Sequence, residues 1–187
     1  MTRAEAATWM DTIHDDIRDA YLQDVLFWQF QDMIRQNERL ANSQNVFLYW
    51  VNMLFKDSIV MAVRRQIDRD NKSISLRRLL TKLQADPGIA GNRLTAADIQ
   101  TDIDDLDRTA HLIRAFADRR IAHADRRDLG ADHPTFGDVR KCLEQVCALA
   151  NKYAGSLCEP ALTLLPPASA RGWQEIFTFR WLDQGHP

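Results

Sequence analysis

Apolar residues recur at helical spacing along most of this chain, and polar capping residues mark where each run begins. Thr2 followed by Glu5 has the spacing of a capping box, after which Trp9, Ile13, Ile17, Ala20 and Val25 repeat while Asp11, Asp15 and Asp19 occupy the other side. This predicts a long amphipathic helix, broken once and ending near Leu40. Asn42-Ser43 offers the next cap, and from Val46 to Ile67 the chain holds Phe47, Trp50, Leu54 and Met61 with neither Gly nor Pro. That run predicts a second long helix, the most buried of the set.

Asp70-Asn71-Lys72-Ser73 reads as a turn, and Ser75 as the cap of a short helix carrying Leu76, Leu79, Leu80 and Leu83 up to the stop at Asp86-Pro87-Gly88. Thr95 and Asp98 form a second capping box, and from Ile99 through Ile103, Leu106, Ala110, Ile113, Ala117, Ile121 and Ala124 the apolar positions keep to one sector of a helix reaching about Arg127. Thr135 and Asp138 cap a last helix with Val139, Leu143, Val146 and Ala150. The pattern predicts an all-α fold, an up-down bundle of four to six helices. Residues 1–158 form the helical domain in this reading. Residues 159–187, interrupted by Pro160, Pro166 and Pro167 and ending in Trp173, Ile176, Phe177, Phe179 and Trp181, form an irregular tail that straps over the bundle or contacts a partner.

Composition narrows the function without naming it. The 187 residues suffice for one core, and a formal net charge of -2 argues against wholesale coating of nucleic acid. Cys142, Cys147 and Cys158 lack CxxC spacing and read as free thiols of a reducing compartment. The N-terminus turns acidic within fifteen residues, so no leader or membrane partner is expected and the cytoplasm is the expected location. No glycine-rich phosphate loop occurs, and no cofactor is expected. His111 lies four residues after Asp107, but two ligands do not make a metal site.

The densest chemistry lies between Phe116 and Arg127. At about 100° per residue, Leu112, Phe116, Arg119 and His123 fall on one edge of the predicted helix. Arg119 and His123, four apart, can converge on one anion, the arginine as a fixed fork of donors and the imidazole as a proton carrier near neutral pH. Cleavage of RNA needs a proton removed from the 2′-hydroxyl, a neutralised phosphorane and a proton given to the 5′-oxygen. Asp118 and Asp125 are further candidates, each also explained as a partner that orders an arginine or the imidazole. A solvated helix end, a nuclease site and an anion site without turnover all remain open at this stage.

On the second helix Asp57, Arg64 and Asp68 share a stripe, and Arg65 lies three residues before Asp68. They read either as a salt-bridge ladder or as side chains that hold the His123 segment or add a phosphate ligand. Residues 64–82 contain Arg64, Arg65, Arg69, Lys72, Arg77, Arg78 and Lys82 against Asp68 and Asp70 alone. With Arg119, Arg120, Arg126 and Arg127 they form a candidate RNA-binding patch.

The run Asp57-Ser-Ile-Val-Met-Ala-Val-Arg64-Arg65-Gln-Ile-Asp68, then Lys72-Ser-Ile-Ser-Leu, then Arg119-Arg-Ile-Ala-His123-Ala-Asp125, resembles the AbiU2-like branch of the HEPN superfamily. The resemblance extends from about Phe47 to Tyr153. It implies a helical bundle that homodimerises, with a metal-independent endoribonuclease activity of toxin or phage-defence systems and a protein partner such as an antitoxin. The alternative it implies is a catalytically inactive dimeric module that binds RNA or protein. The catalytic pattern of that superfamily is an arginine, often followed by a polar residue, with four to six residues before the histidine. His123 matches the histidine and Asp118 the polar residue, but Ala117 stands where the arginine is expected, while Arg119 is too close to His123 and Arg114 too far.

Overall fold

Thr2 starts the first helix as its spacing predicts: its hydroxyl accepts the Glu5 N–H at 3.2 Å, and the Glu5 carboxylate accepts the Thr2 N–H at 2.7 Å. The computed structural model describes residues 1–42, 45–91, 94–121, 133–158 and 172–178, with the backbone alone at 120, 121, 176 and 178. Helix α1 (Arg3–Gln36) buries Ala6, Met10, Ile13, Ile17, Ala20 and Phe27. It ends where Asn37 turns extended, and the Asn37 side chain accepts the Leu40 N–H to begin the single turn α2 (Glu38–Ala41).

Asn45, and not the expected Asn42-Ser43 pair, caps α3 (Val46–Gln66) by accepting the Phe47 N–H at 2.8 Å. Ser43 lies outside the described residues. The expectation that this helix is the most buried is corrected: Val46 is 79% exposed and Trp50 53%, while burial is confined to Ile59, Val60, Ala62, Val63 and Gln66. Its sequence is apolar on every side, but neighbouring helices cover only its second half, and apolar composition does not create a neighbour. By length and composition α3 could cross a membrane, yet its second half is part of the bundle core.

Ser75 caps α4 (Leu76–Ala85), whose four leucines are fully buried. A 3-10 turn (Pro87–Ala90) leads through Gly91, at φ 83°, to the Thr95 box and α5 (Ala96–Thr109). The continuous helix expected from Thr95 to Arg127 is corrected as well. The backbone breaks at Ala110, restarts as α6 (His111–Phe116), and then widens into a π-helical turn over Ala117–Ile121. Helix α7 (Phe136–Leu157) follows, and Trp173–Thr178 form a 3-10 turn.

Every regular element among the described residues is helical. The breaks at Asn37 and Ala110 explain why seven α-helical segments stand among the described residues where four to six helices are expected. Helix α1 is the hub. Hydrogen bonds from Gln66 to Asp16, Ser58 to Gln23 and Gln31 to Asn52 run it antiparallel to α3. On its other side Arg3 donates to the Ser156 carbonyl, and Asp24 faces Arg140, which makes α7 antiparallel too. Helices α4 and α5 pack as a hairpin against this three-helix core. The tail turn touches α1: the Trp173 indole N–H donates to Gln29 at 2.6 Å, and Phe177 stacks on Phe30.

Candidate functional site

Two polar features meet at the C-terminal end of α3. In the first, Arg64 reaches across to the π turn: its Nε donates to Asp118 Oδ1 at 2.7 Å and its Nη1 to Asp68 Oδ1 at 3.2 Å. The Asp68 carboxylate also accepts the Arg69 N–H at 2.8 Å and the Asp70 N–H at 3.4 Å, and the Ser75 hydroxyl donates to the Asp68 carbonyl at 2.7 Å. Arg64 therefore joins α3, the turn after it and the chemistry-bearing segment. Burial works against the charge on Asp68, but hydrogen bonds from Arg64 and the Asp70 N–H outweigh it and hold the carboxyl below its ordinary range. Burial likewise opposes the charge on Arg64, and its bonds to Asp118 and Asp68 reverse the effect.

A shallow cavity of about 240 Å³ opens here, lined by Met61, Arg64, Arg65, Asp68, Ala117 and Asp118. Ala117 is 1% exposed, so a methyl group packed toward the core stands where a catalytic arginine would be expected. Arg65 is exposed and does not pair with Asp68; its neighbour Arg64 takes that carboxylate through the spacing of four. Asp57 is half-buried and makes no ion pair among the described residues, so the Asp57, Arg64, Asp68 stripe is joined at only two of its members.

The predicted edge through Leu112, Phe116 and Arg119 is not one surface. Leu112 is 38% exposed, whereas Phe116 is 8% exposed, beneath the Lys56 ammonium at 4.6 Å and edge-on to the His133 ring at 5.5 Å. Leu112 and Phe116 share α6 and differ because Lys56 and His133 pack on Phe116, while the π turn that starts at Ala117 shifts the helical phase for Arg119 alone. Arg119 is exposed on the π turn and makes no ion pair among the described residues. His123, Asp125, Arg126 and Arg127, and the Arg120 side chain, lie outside the described residues.

The second feature is a basic groove of about 310 Å³ lined by Arg69, Arg77, Arg78, Thr81 and Lys82. Asp107 of α5 organises it, pairing with Arg69 at 2.8 Å and with the Arg77 Nε at 3.1 Å. Arg78 lies over the Trp9 ring at 5.1 Å and donates to the Ser73 carbonyl, and Lys82 stands 5.8 Å from the same ring. Arg69 follows Asp68 directly, so the groove and the Arg64 cavity adjoin. Lys72 sits exposed in the intervening turn, where its N–H donates to Asp70.

Asp107 is thus committed to two guanidinium groups, and no cluster of three or more metal-ligating side chains occurs among the described residues. The roles of Asp107 and Trp9 escape sequence reasoning. Asp107 reads as one of a run of solvated acids and Trp9 as an ordinary core position, and nothing local marks either as facing α4.

With this geometry in place, comparison with known families is decisive: the HEPN family model described as AbiU2 matches residues 4–176. The chain belongs to the AbiU2 family of HEPN proteins. The match runs from α1 to the Trp173 turn and so includes both polar features of this AbiU2-family bundle. Comparison with curated proteins and with solved structures gives no match.

Proposed function

We propose that this AbiU2-family protein is an RNA-engaging HEPN module of a toxin or phage-defence system, acting in the cytoplasm as a homodimer, and that it holds RNA in the arginine groove of α4. The observation that carries this reading is the convergence of Arg69, Arg77, Arg78 and Lys82 on one cavity in a chain of net charge -2. Of the four cations only Arg69 and Arg77 pair with the Asp107 carboxylate, which fixes those two guanidinium groups in place and leaves the groove with local positive charge. Lys72, Arg126 and Arg127 extend the surface in this reading. Residues 159–187 offer an aromatic segment to a protein partner such as an antitoxin.

A second reading, metal-independent endoribonuclease, is favoured by Arg119, an exposed guanidinium on the π turn that leads into the His123 segment. In it His123 moves the protons of the 2′-hydroxyl and 5′-oxygen, and Arg119 with Arg120 neutralises the phosphorane. Binding is placed first because Ala117 supplies no guanidinium and Arg64 is neutralised by two carboxylates.

The test is incubation of purified protein with a defined single-stranded RNA in EDTA, alongside His123→Ala and an Arg69→Ala/Arg78→Ala variant. Salt-sensitive binding lost in the arginine variant and intact in His123→Ala, without cleavage, supports the module. Products ending in a 2′,3′-cyclic phosphate, absent with His123→Ala, support the nuclease. No RNA binding at low salt refutes both.

A further inference from the structure

The first half of α3 carries an uncovered apolar ridge. Val46, Phe47, Tyr49, Trp50 and Leu54 are each between 49% and 79% exposed, and no charged residue occurs from Val46 to Phe55. A helix face meant only for water carries charge, as the far sides of α4 and α5 do. Beside the ridge, α1 and α3 leave an open groove of about 590 Å³ walled by Leu26, Phe27, Phe30, Val51 and Phe55 and bounded by Trp173.

Aromatic side chains of the tail turn border the groove. Trp173 lies at its margin with its indole N–H bonded to Gln29, and Phe177 stacks on the groove residue Phe30. Phe47 and Trp50, with ring centroids 5.9 Å apart, form a similar aromatic wedge on the ridge. Leu54 belongs to ridge and groove alike, so the two lie side by side on one face. An apolar ridge beside an apolar groove on one face is the arrangement in which two copies related by a two-fold axis each offer a ridge to the other's groove.

The area agrees. With Phe177, the exposed parts of the ridge come to roughly 700 Å² per chain, above the usual largest apolar patch of a monomer and close to one partner's share of a standard interface. A lipid surface suits this face less well, because helices that lie on membranes flank their apolar face with Lys and Arg. Here the nearest following cation in sequence, Lys56, is turned onto the Phe116 ring.

We propose that this face is a self-association surface, in which the aromatic ridge of α3 in one chain seats in the α1/α3 groove of a second copy. This deepens the homodimer part of the reading above and is independent of RNA. Trp50 precedes Arg64 by fourteen residues, about 21 Å along a helix, so the contact leaves the Asp118 turn and the α4 groove open.

The test is sedimentation equilibrium of the full chain over about 1–100 µM, with Phe47→Glu, Trp50→Glu and the conservative Trp50→Leu. The expected result is a wild-type dimer, weakened at least about tenfold by either glutamate and retained by Trp50→Leu, with circular dichroism spectra alike for all four proteins. A dimer that neither glutamate weakens overturns this surface and leaves the homodimer reading standing. A wild-type chain monomeric throughout overturns both. Wild-type protein that stays monomeric yet co-sediments with phosphatidylcholine vesicles, and loses this in Trp50→Glu, assigns the face to lipid and also overturns the proposal.

Discussion

Arg64 and Asp118 stand 54 positions apart in sequence and 2.7 Å apart in space, and their bond fastens the π turn to α3. The same guanidinium holds Asp68 at 3.2 Å, so a single side chain fixes both the turn that leads into α4 and the turn that leads toward His123.

Removing that link loosens the site more than it unfolds the bundle. Arg64→Ala is expected to cost about 1 kcal/mol of stability, because both ion pairs are partly solvated. A double-mutant cycle with Asp118→Ala, measured by urea unfolding, should return a coupling of about 0.5–1 kcal/mol. Proteolytic cleavage within 119–132 should accelerate in Arg64→Ala by more than the global stability change explains.

Asp24 gives the fold a pH dependence opposite in sign to that of Asp68. Burial raises the Asp24 carboxyl above its ordinary range, and the Trp28 N–H at 2.9 Å and Arg140 at 3.8 Å offset this only in part. A raised folded value means that the native state binds the proton more tightly than the unfolded chain, so this contribution is favourable below the unfolded value and is lost as pH rises through the folded one. Asp24→Asn, which keeps an acceptor for Trp28, should therefore raise stability at neutral pH. For Asp68 the folded value is lowered, so its contribution is full above the ordinary carboxylate range and disappears as pH falls through the folded value. Urea titrations from acid to neutral pH on wild type, Asp24→Asn and Asp68→Asn separate the two slopes.

His14 is 6% exposed and its Nε2 has no hydrogen-bond partner among the described residues. An unsatisfied buried nitrogen carries a desolvation cost that a leucine of similar bulk does not. His14→Leu should raise stability by about 1 kcal/mol, a melting shift of about 2–4 °C for a chain of this size. An unchanged or lower melting temperature would refute this account.

Tyr153 is fully buried, and its hydroxyl donates to Asp102 at 2.6 Å, where Lys152 also binds at 2.5 Å. Tyr153→Phe should cost about 1–2 kcal/mol, since it removes a hydrogen bond to a charged group. Lys152→Ala, with its side chain in water, should cost less than about 1 kcal/mol. Equal losses in thermal or urea unfolding would mean that the α5/α7 contact rests on the ammonium instead.

The sequence by itself determined the elements and their starts. Ser75, Thr95 and Thr135 cap where their spacing places them, because a cap is a local reaction of a short side chain with N–H groups two or three residues ahead. It also determined the all-helical class, since the apolar period is written residue by residue. What the tertiary structure alone decided is which apolar and charged faces find a neighbour. Phe47 and Trp50 are as apolar as Ile59 and Val60, yet only the latter are buried in the bundle core. Arg64 takes Asp118, and Asp107 takes Arg69 and Arg77, through contacts between separate elements. Spacing along one helix carries no information about the helix packed against it, so burial and charge pairing are settled only when the bundle closes.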